Sequence, residues 1–145
     1  VIVPDINLLL YAYFPAFPLH DAARNWWEGI GERGELVGFA PPVLFGFIRI
    51  ASNRRVFVQP MDLQHAIEIV DGWLALPNVH VLRPGPRHIN VAFDLLRAGG
   101  TSRDLTTDAQ IAAYALGNGG TVHSADRDFS RFPGVPYIDP LAGQK

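Results

Sequence analysis

The sequence predicts an α/β fold with a mostly parallel central sheet. Two observations carry that prediction. Short apolar, often β-branched runs alternate with longer helical patterns along the whole chain. Carboxylates stand at the ends of two strand-like runs, at Asp5 and Asp126, and parallel sheets place ligands at the carboxyl ends of their strands. At 145 residues, without repeats, low-complexity segments or linkers, the chain reads as one domain spanning 1–145.

Val1–Pro4 is a short β-branched run and reads as a strand, with Pro4 at its end because proline lacks a backbone donor. Asp5 follows as the expected N-cap of a helix over INLLLYAYF, with Ile6, Leu9, Leu10 and Tyr13 on one face. FPAFP is a loop. An amphipathic helix is expected from His20 to about Ile30, with Asp21 in its first turn and Trp26 and Trp27 turned to the sheet. GERGE is a polar turn and LVGFA a second strand. Pro41-Pro42 opens a helix, PVLFGFIRIASN, whose only charge is Arg49. That helix is apolar around most of its circumference, as expected of a core element or half of a protein contact. RRVFV is expected to be extended. A helix within 60–76 has Asp62 as its expected N-cap. VHVL is a third strand, PGP a turn, and RHINVAFDLLRAGG a helix with a Gly-Gly stop.

The stretch DLTTDAQIAAYALGNGGTVHSADRDF then gathers most of the acids. Thr107 to Gln110 fits a capping box, with Thr107 as N-cap and Asp108 in the first turn. Ile111, Ala112, Ala115 and Leu116 are the expected buried face. Gly117 and Gly119-Gly120 end the helix, TVH is a strand, Asp126 to Phe129 a turn or short helix, and VPYI a last strand before a tail.

There are no cysteines, which excludes disulfides, thiol nucleophiles and thiolate zinc sites and fits a reducing, cytoplasmic setting. No apolar run approaches a membrane span and no leader is visible, so no membrane partner is expected. The net charge of −2 argues against a strongly basic nucleic-acid binder. Of the 12 basic residues only Lys145 is lysine. Arginine is the better fork for phosphate, yet the bias runs along the whole chain, as a GC-rich genome would also produce.

Asp5, Asp108 and Asp126 fall on one expected rim. Each taken alone reads as a helix cap on a solvated loop; together they suit a hard divalent cation such as Mg²⁺ or Mn²⁺. Such an ion can orient water, lower its pKa and stabilise charge on a scissile phosphate. The five histidines show no metal spacing. His123 reads as a packed strand residue rather than a base, and the tryptophans as core. Arg54, Arg55, Arg127 and Arg131 are candidates for steering RNA, and Asp104 for supporting the acids.

DINLLLYA, LTTDAQIAAYAL and GGTVHSADRDFSRFPGV, with HDAARNWWE, GFIRIASNRRVF and PYIDPL between and after them, resemble a PIN-domain ribonuclease of the VapC toxin type. The resemblance spans nearly the whole chain. It implies a three-layer α/β/α sandwich, an acidic cluster binding Mg²⁺ or Mn²⁺, an RNA substrate, and a cognate antitoxin. It also implies that Asp5, Asp108 and Asp126 are catalytic metal ligands, with Asp128 an extra acid, often acting through water. Asn7 is implied to fix the Asp5 carboxylate by hydrogen bonding, and Ser124 to meet water or phosphate. The family commonly carries a Glu in the third helix. Here Gly46 stands in its place, and no acid lies between Glu35 and Asp62. Arg49, one turn on, is the candidate to face the pocket edge.

The expectation is therefore a metal-dependent endoribonuclease, the toxin of a type II toxin–antitoxin pair. The alternative is a degenerate domain that binds RNA or a protein without cutting, and Gly46 motivates it. A phosphate-accepting receiver domain fits poorly, because such domains need a pocket lysine. The apolar helix around Phe45 to Ile50 suggests a homodimer contact or a groove for an antitoxin helix.

Overall fold

The computed structural model describes residues 1–100 and 105–143. Asp104 and Arg103 lie outside the described residues. In chain order the elements are β1 (Ile2–Pro4), α1 (Ile6–Tyr13), α2 (His20–Arg33), β2 (Val37–Phe39), α3 (Pro41–Ala51), α4 (Leu63–Leu74), β3 (Val79–Val81), α5 (His88–Ala98), α6 (Thr106–Gly117), β4 (Thr121–His123), a 3₁₀ helix (Arg127–Arg131) and β5 (Tyr137–Ile138).

The five strands form one sheet in the order β3-β2-β1-β4-β5, with every pairing parallel. Strand order reverses between β1 and β4: the chain first grows away from β1 through β2 and β3, then returns to its other side. That reversal opens a crevice beyond the carboxyl ends of β1 and β4. Ile2 pairs in register with both Val37 and Thr121, so Phe39 and His123 share one face. α2 covers that face. Trp27 packs on Phe39 with ring centroids 6.0 Å apart, and Trp26 Nε1 donates to His123 Nδ1 at 3.1 Å. α6 covers the other face, which carries Val3 and Val122. Close approach there depends on Gly120, where a Cβ would lie 2.6 Å from Val3 Cγ2 and 3.7 Å from Ala115 Cα. The result is a three-layer α/β/α arrangement.

Phe39, Phe47 and Trp73 form the aromatic heart of the main core, with Trp73 giving its indole proton to the Tyr13 hydroxyl at 2.8 Å. Burying three such side chains supplies roughly 1.5–3 kcal/mol each. No helix among the described residues is long and apolar enough to cross a membrane.

Several local expectations are corrected. α2 runs to Arg33, past Ile30, and stops at Gly34 with φ 65°. RRVFV is not extended: Arg54, Arg55 and Val56 form a turn closed by Val56 N–H on the Asn53 carbonyl at 3.1 Å. Asp62 holds the N-cap position of α4 without a side-chain bond. Thr107 is not a cap. α6 starts at Thr106, Leu105 precedes it with no side-chain cap, and the Gln110 amide reaches the Thr106 carbonyl at 3.4 Å. On α6, Leu116 is exposed, at 39%, and the buried stripe is Ala109, Ile111, Ala112, Ala113 and Ala115. Alanines win those positions because the helix approaches the sheet closely.

Candidate metal centre

The crevice between β1 and β4 is where the acids meet. Asp5 follows β1 and is the N-cap of α1, its Oδ1 accepting from the Ile6 N–H at 2.7 Å. Its own N–H bonds the His123 carbonyl at 2.9 Å, which joins the ends of β1 and β4. The residue is only 5% exposed. Its second oxygen, Oδ2, accepts from Ser124 Oγ at 2.7 Å.

Ser124, fully buried after β4, is the hub of the site. While donating to Asp5, its Oγ accepts from the Asp126 N–H at 2.9 Å and from Asn7 Nδ2 at 3.3 Å. A hydroxyl has one proton and two lone pairs, so all three are used. Ser124 is thus a positioning residue, not one facing water or phosphate. Asn7 departs from expectation too. It does not hydrogen-bond the Asp5 carboxylate directly; it acts through Ser124, and its Oδ1 accepts from the Ala125 N–H at 3.4 Å. Asp126 then caps the 3₁₀ helix, its Oδ1 accepting from the Asp128 N–H at 2.8 Å.

Asp108 arrives from the first turn of α6. Asp108, Asp126 and Asp128 each offer an oxygen within 4.8 Å of the others. Asp5 lies outside that set of three, yet its charge is felt at Asp108. Burial, then repulsion from Asp5, Asp126 and Asp128, pushes the Asp108 carboxyl up to about 7. Burial also raises Asp5, against the lowering effect of its bonds to Ser124 and Ile6. Crowded carboxylates that repel one another are the arrangement a hard cation relieves. The donors present, all carboxylate oxygen, fit Mg²⁺ or Mn²⁺.

Arg131 Nε stands 3.4 Å from Asp128 Oδ1. Arg127 and Arg131 are exposed on the 3₁₀ helix beside Asp128, and Arg54 and Arg55 are exposed in the turn after α3. Arg49 is exposed and makes no ion pair among the described residues. Gly46 is buried against α1: a Cβ there would lie 2.3 Å from Ile6 Cδ1. The space that a side chain at Gly46 of α3 would enter is therefore filled by Ile6 of α1. His123 is packed, as expected, and burial lowers its pKa to about 4.

Two residues at the site go unnoticed in the sequence. Asp139 follows β5 as Asp5 follows β1, and its charge, with those of Asp5 and Asp126, raises the Tyr11 phenol above its ordinary value, though burial raises it most. The strand-end rule that flagged Asp5 would have flagged Asp139. Tyr11 sits four residues after Asn7, on the same helical face.

Comparison with known proteins agrees with this architecture. The PIN domain matches residues 2–135. Over 141 residues the chain is 45% identical to a protein named Ribonuclease VapC33 from Mycobacterium tuberculosis, covering 97% of this chain and 99% of that one. It is 40% identical to Ribonuclease VapC43 of the same organism over 140 residues, covering 97% and 95%. Among solved structures, M. tuberculosis VapC20, described as a sarcin-ricin-loop-cleaving toxin, superposes with a TM-score of 0.68 at 17% identity, covering 90% of this chain and 93% of that one. VapBC2 from Rickettsia felis, solved on a promoter DNA fragment, gives 0.66 at 15%, covering 94% and 96%. At those identities the structures speak for the fold alone.

Proposed function

The chain belongs to the PIN-domain family, and on that premise we propose that it is a metal-dependent endoribonuclease, the toxin of a type II toxin–antitoxin pair. The convergence of Asp108, Asp126 and Asp128 in the β1/β4 crevice carries this reading. Relatives named VapC ribonucleases along nearly the full chain support the RNA substrate, and VapBC assemblies of the same fold support an antitoxin partner. A cytoplasmic setting goes with both.

Asp108, Asp126 and Asp128 would hold Mg²⁺ or Mn²⁺, with Asp5 completing the acidic wall. When bound, the ion supplies a water of lowered pKa and neutralises charge on the phosphate. The protein's part is placement. Ser124 holds Asp5 and the Asp126 backbone on one oxygen, so the two strand-end acids keep a fixed separation. α6 directs its N-terminal dipole at Asp108, which favours the carboxylate form that a cation needs. Attack by water rather than by the ribose 2′-hydroxyl breaks the P–O3′ bond and leaves a 3′-hydroxyl and a 5′-phosphate.

One observation favours the alternative, a domain that binds RNA or a protein without cleavage. α3 carries no acid, and Ile6 occupies the space beside Gly46. α3 also presents Phe45, 72% exposed, which suits an antitoxin helix or a second copy of the chain. The purified protein incubated with total RNA and Mn²⁺ separates the readings. Cleavage that Asp5→Asn abolishes, with the melting transition kept, is expected. No cleavage, and no saturable Mn²⁺ site by calorimetry, selects the alternative. Cleavage by Asp5→Asn at the wild-type rate overturns the site assignment.

A further inference from the structure

Beside the acidic rim lies a cavity of about 420 Å³ lined by Tyr11, Phe17, Pro18 and Leu19. It offers no carboxylate, imidazole or amine to a cation: its lining is aromatic and aliphatic, with the Tyr11 phenol as the one hydroxyl. Two rings shape it, Tyr11 and Phe17, with centroids 4.9 Å apart and planes inclined at 58°. The rings are backed rigidly. Phe17 meets Phe57 edge-on at 5.9 Å, and Phe57 stacks on Phe14 at 3.9 Å. The loop carrying Phe17 is tied down at both ends. Phe17 N–H bonds the Phe14 carbonyl at 3.2 Å, His20 N–H the Phe17 carbonyl at 3.0 Å, and His20 Nδ1 donates to the Tyr11 carbonyl at 2.8 Å.

The cavity's position gives it meaning. α1 starts at Asp5, and Asn7 bonds Ser124 Oγ and the Ala125 N–H. Tyr11 lies about one turn further along the same face, about 6 Å on along the helix axis. Tyr11 also belongs to the packed cluster that includes Ala125, the residue between Ser124 and Asp126. An uncharged aromatic slot one helical turn beyond Asn7, the residue that bonds Ser124 and Ala125 at the acidic rim, suits a flat, apolar ring attached to a phosphate held at that rim. Single-stranded RNA presents such rings, and aromatic side chains bind them by stacking.

We propose that the Tyr11–Phe17 cavity takes one unstacked nucleobase of single-stranded RNA, next to the phosphodiester held over Asp108 and Asp126; this inference rests on the ribonuclease reading. It makes Tyr11 and Phe17 positioning residues for the substrate. The partner chemistry is a base on a ribose-phosphate backbone, with the backbone alone insufficient.

The test compares two labelled probes of equal charge by fluorescence anisotropy. One is a uridylate dodecamer, the other a dodecamer of abasic ribose-phosphate. Both are titrated with full-length protein in Mg²⁺, with Asp108→Asn to prevent cutting. The base-bearing probe is expected to bind about tenfold more tightly, the scale of one stacked base. Phe17→Leu removes that advantage and Phe17→Trp keeps it, with melting curves confirming that each variant folds. Tyr11→Leu serves if Phe17→Leu does not fold. Equal affinity for the two probes overturns the proposal, as does an advantage that survives loss of the ring. A base advantage in a chain whose wild type cuts no RNA would sink the ribonuclease reading and leave the cavity assignment standing. Cleavage without a base advantage does the reverse.

Discussion

Ser124 Oγ stands 2.7 Å from Asp5 Oδ2 and gives it the only proton the hydroxyl has. The bond spans 119 positions of sequence and joins the ends of the two strands between which the sheet order reverses. The same oxygen accepts from the Asp126 N–H, so one buried atom sets the relation of two acids. A carboxylate buried to this degree needs such a partner, because unmade bonds in a low-dielectric site are costly.

Ser124→Ala is therefore expected to cost more than its small volume suggests. It leaves Asp5 Oδ2 short of a partner in a buried place, and the half-buried Asp126 N–H and Asn7 amide short of theirs. One such orphaned group costs about 1–3 kcal/mol. Urea denaturation in EDTA should show a loss of at least that size, and calorimetry a weaker Mn²⁺ isotherm than wild type. A variant as stable as wild type with unchanged Mn²⁺ binding would show that the hub is ornamental.

The legible part of this fold was set by local chemistry. β-branched triplets, strand-end carboxylates and glycine stops each act within a few residues, so β1, β2, β4 and the candidates Asp5, Asp108 and Asp126 could be read directly. What escaped depends on distance in sequence. Ser124 looks like an ordinary small residue until β1 and β4 are paired. The family resemblance implies Asn7 as a direct partner of Asp5, while its partners here lie 117 and 118 residues away. Thr107 matched a capping pattern, yet the helix starts one residue earlier and places it in the first turn. RRVFV has strand composition, yet the Val56 and Phe57 N–H groups both close on the Asn53 carbonyl, so the segment turns instead of extending.

Protonation of Asp108 should be visible in stability. Its carboxyl titrates at about 7 folded, against 3.8 as the ordinary value. Between those pH values the folded chain binds the extra proton, so this group's contribution falls as pH rises from about 4 to 7. His123 works the other way, since its folded value is about 4 against 6.5. Its contribution rises with pH across that window. The two oppose each other in wild type, so the variant isolates the acid. In EDTA, Asp108→Asn should gain melting temperature relative to wild type steadily from pH 4 to 7.5. Added Mn²⁺ should raise the wild-type transition more at pH 7.5 than at pH 5, where a proton competes for the site. A pH-independent difference between the two proteins would remove the repulsion argument.

His123 should remain neutral in the folded chain well below its ordinary range. The Trp26 indole can only donate, so Nδ1 is the acceptor and the proton sits on Nε2. Nuclear magnetic resonance of ¹⁵N-histidine should show that tautomer at pH 7 and no imidazolium until pH approaches about 4. Trp26→Phe removes the donor, and both nitrogens should then show tautomer exchange. Titration of His123 near 6.5 in the folded wild type contradicts the packing described.

Gly46 and Ile6 make the sharpest test of why α3 carries no acid. A Cβ at Gly46 would stand 2.3 Å from Ile6 Cδ1 and 3.2 Å from its Cγ1. In a helix interior alanine is favoured over glycine by up to about 1 kcal/mol. Overpacking costs about 1–3 kcal/mol, and the half-buried Ile6 side chain can give only partly. Gly46→Ala alone is thus expected to destabilise by about 1 kcal/mol. In an Ile6→Ala background the clash is gone, helix propensity acts unopposed, and the same substitution should stabilise. The reversal of sign in a double-mutant cycle, read by urea denaturation, is the expected result. Additive effects would show that α1 and α3 do not compete for this space. Once Ile6 is trimmed, Gly46→Glu can place a carboxylate at that site. Calorimetry should then show tighter Mn²⁺ binding than in the Ile6→Ala parent, whereas Gly46→Glu with Ile6 intact should gain little.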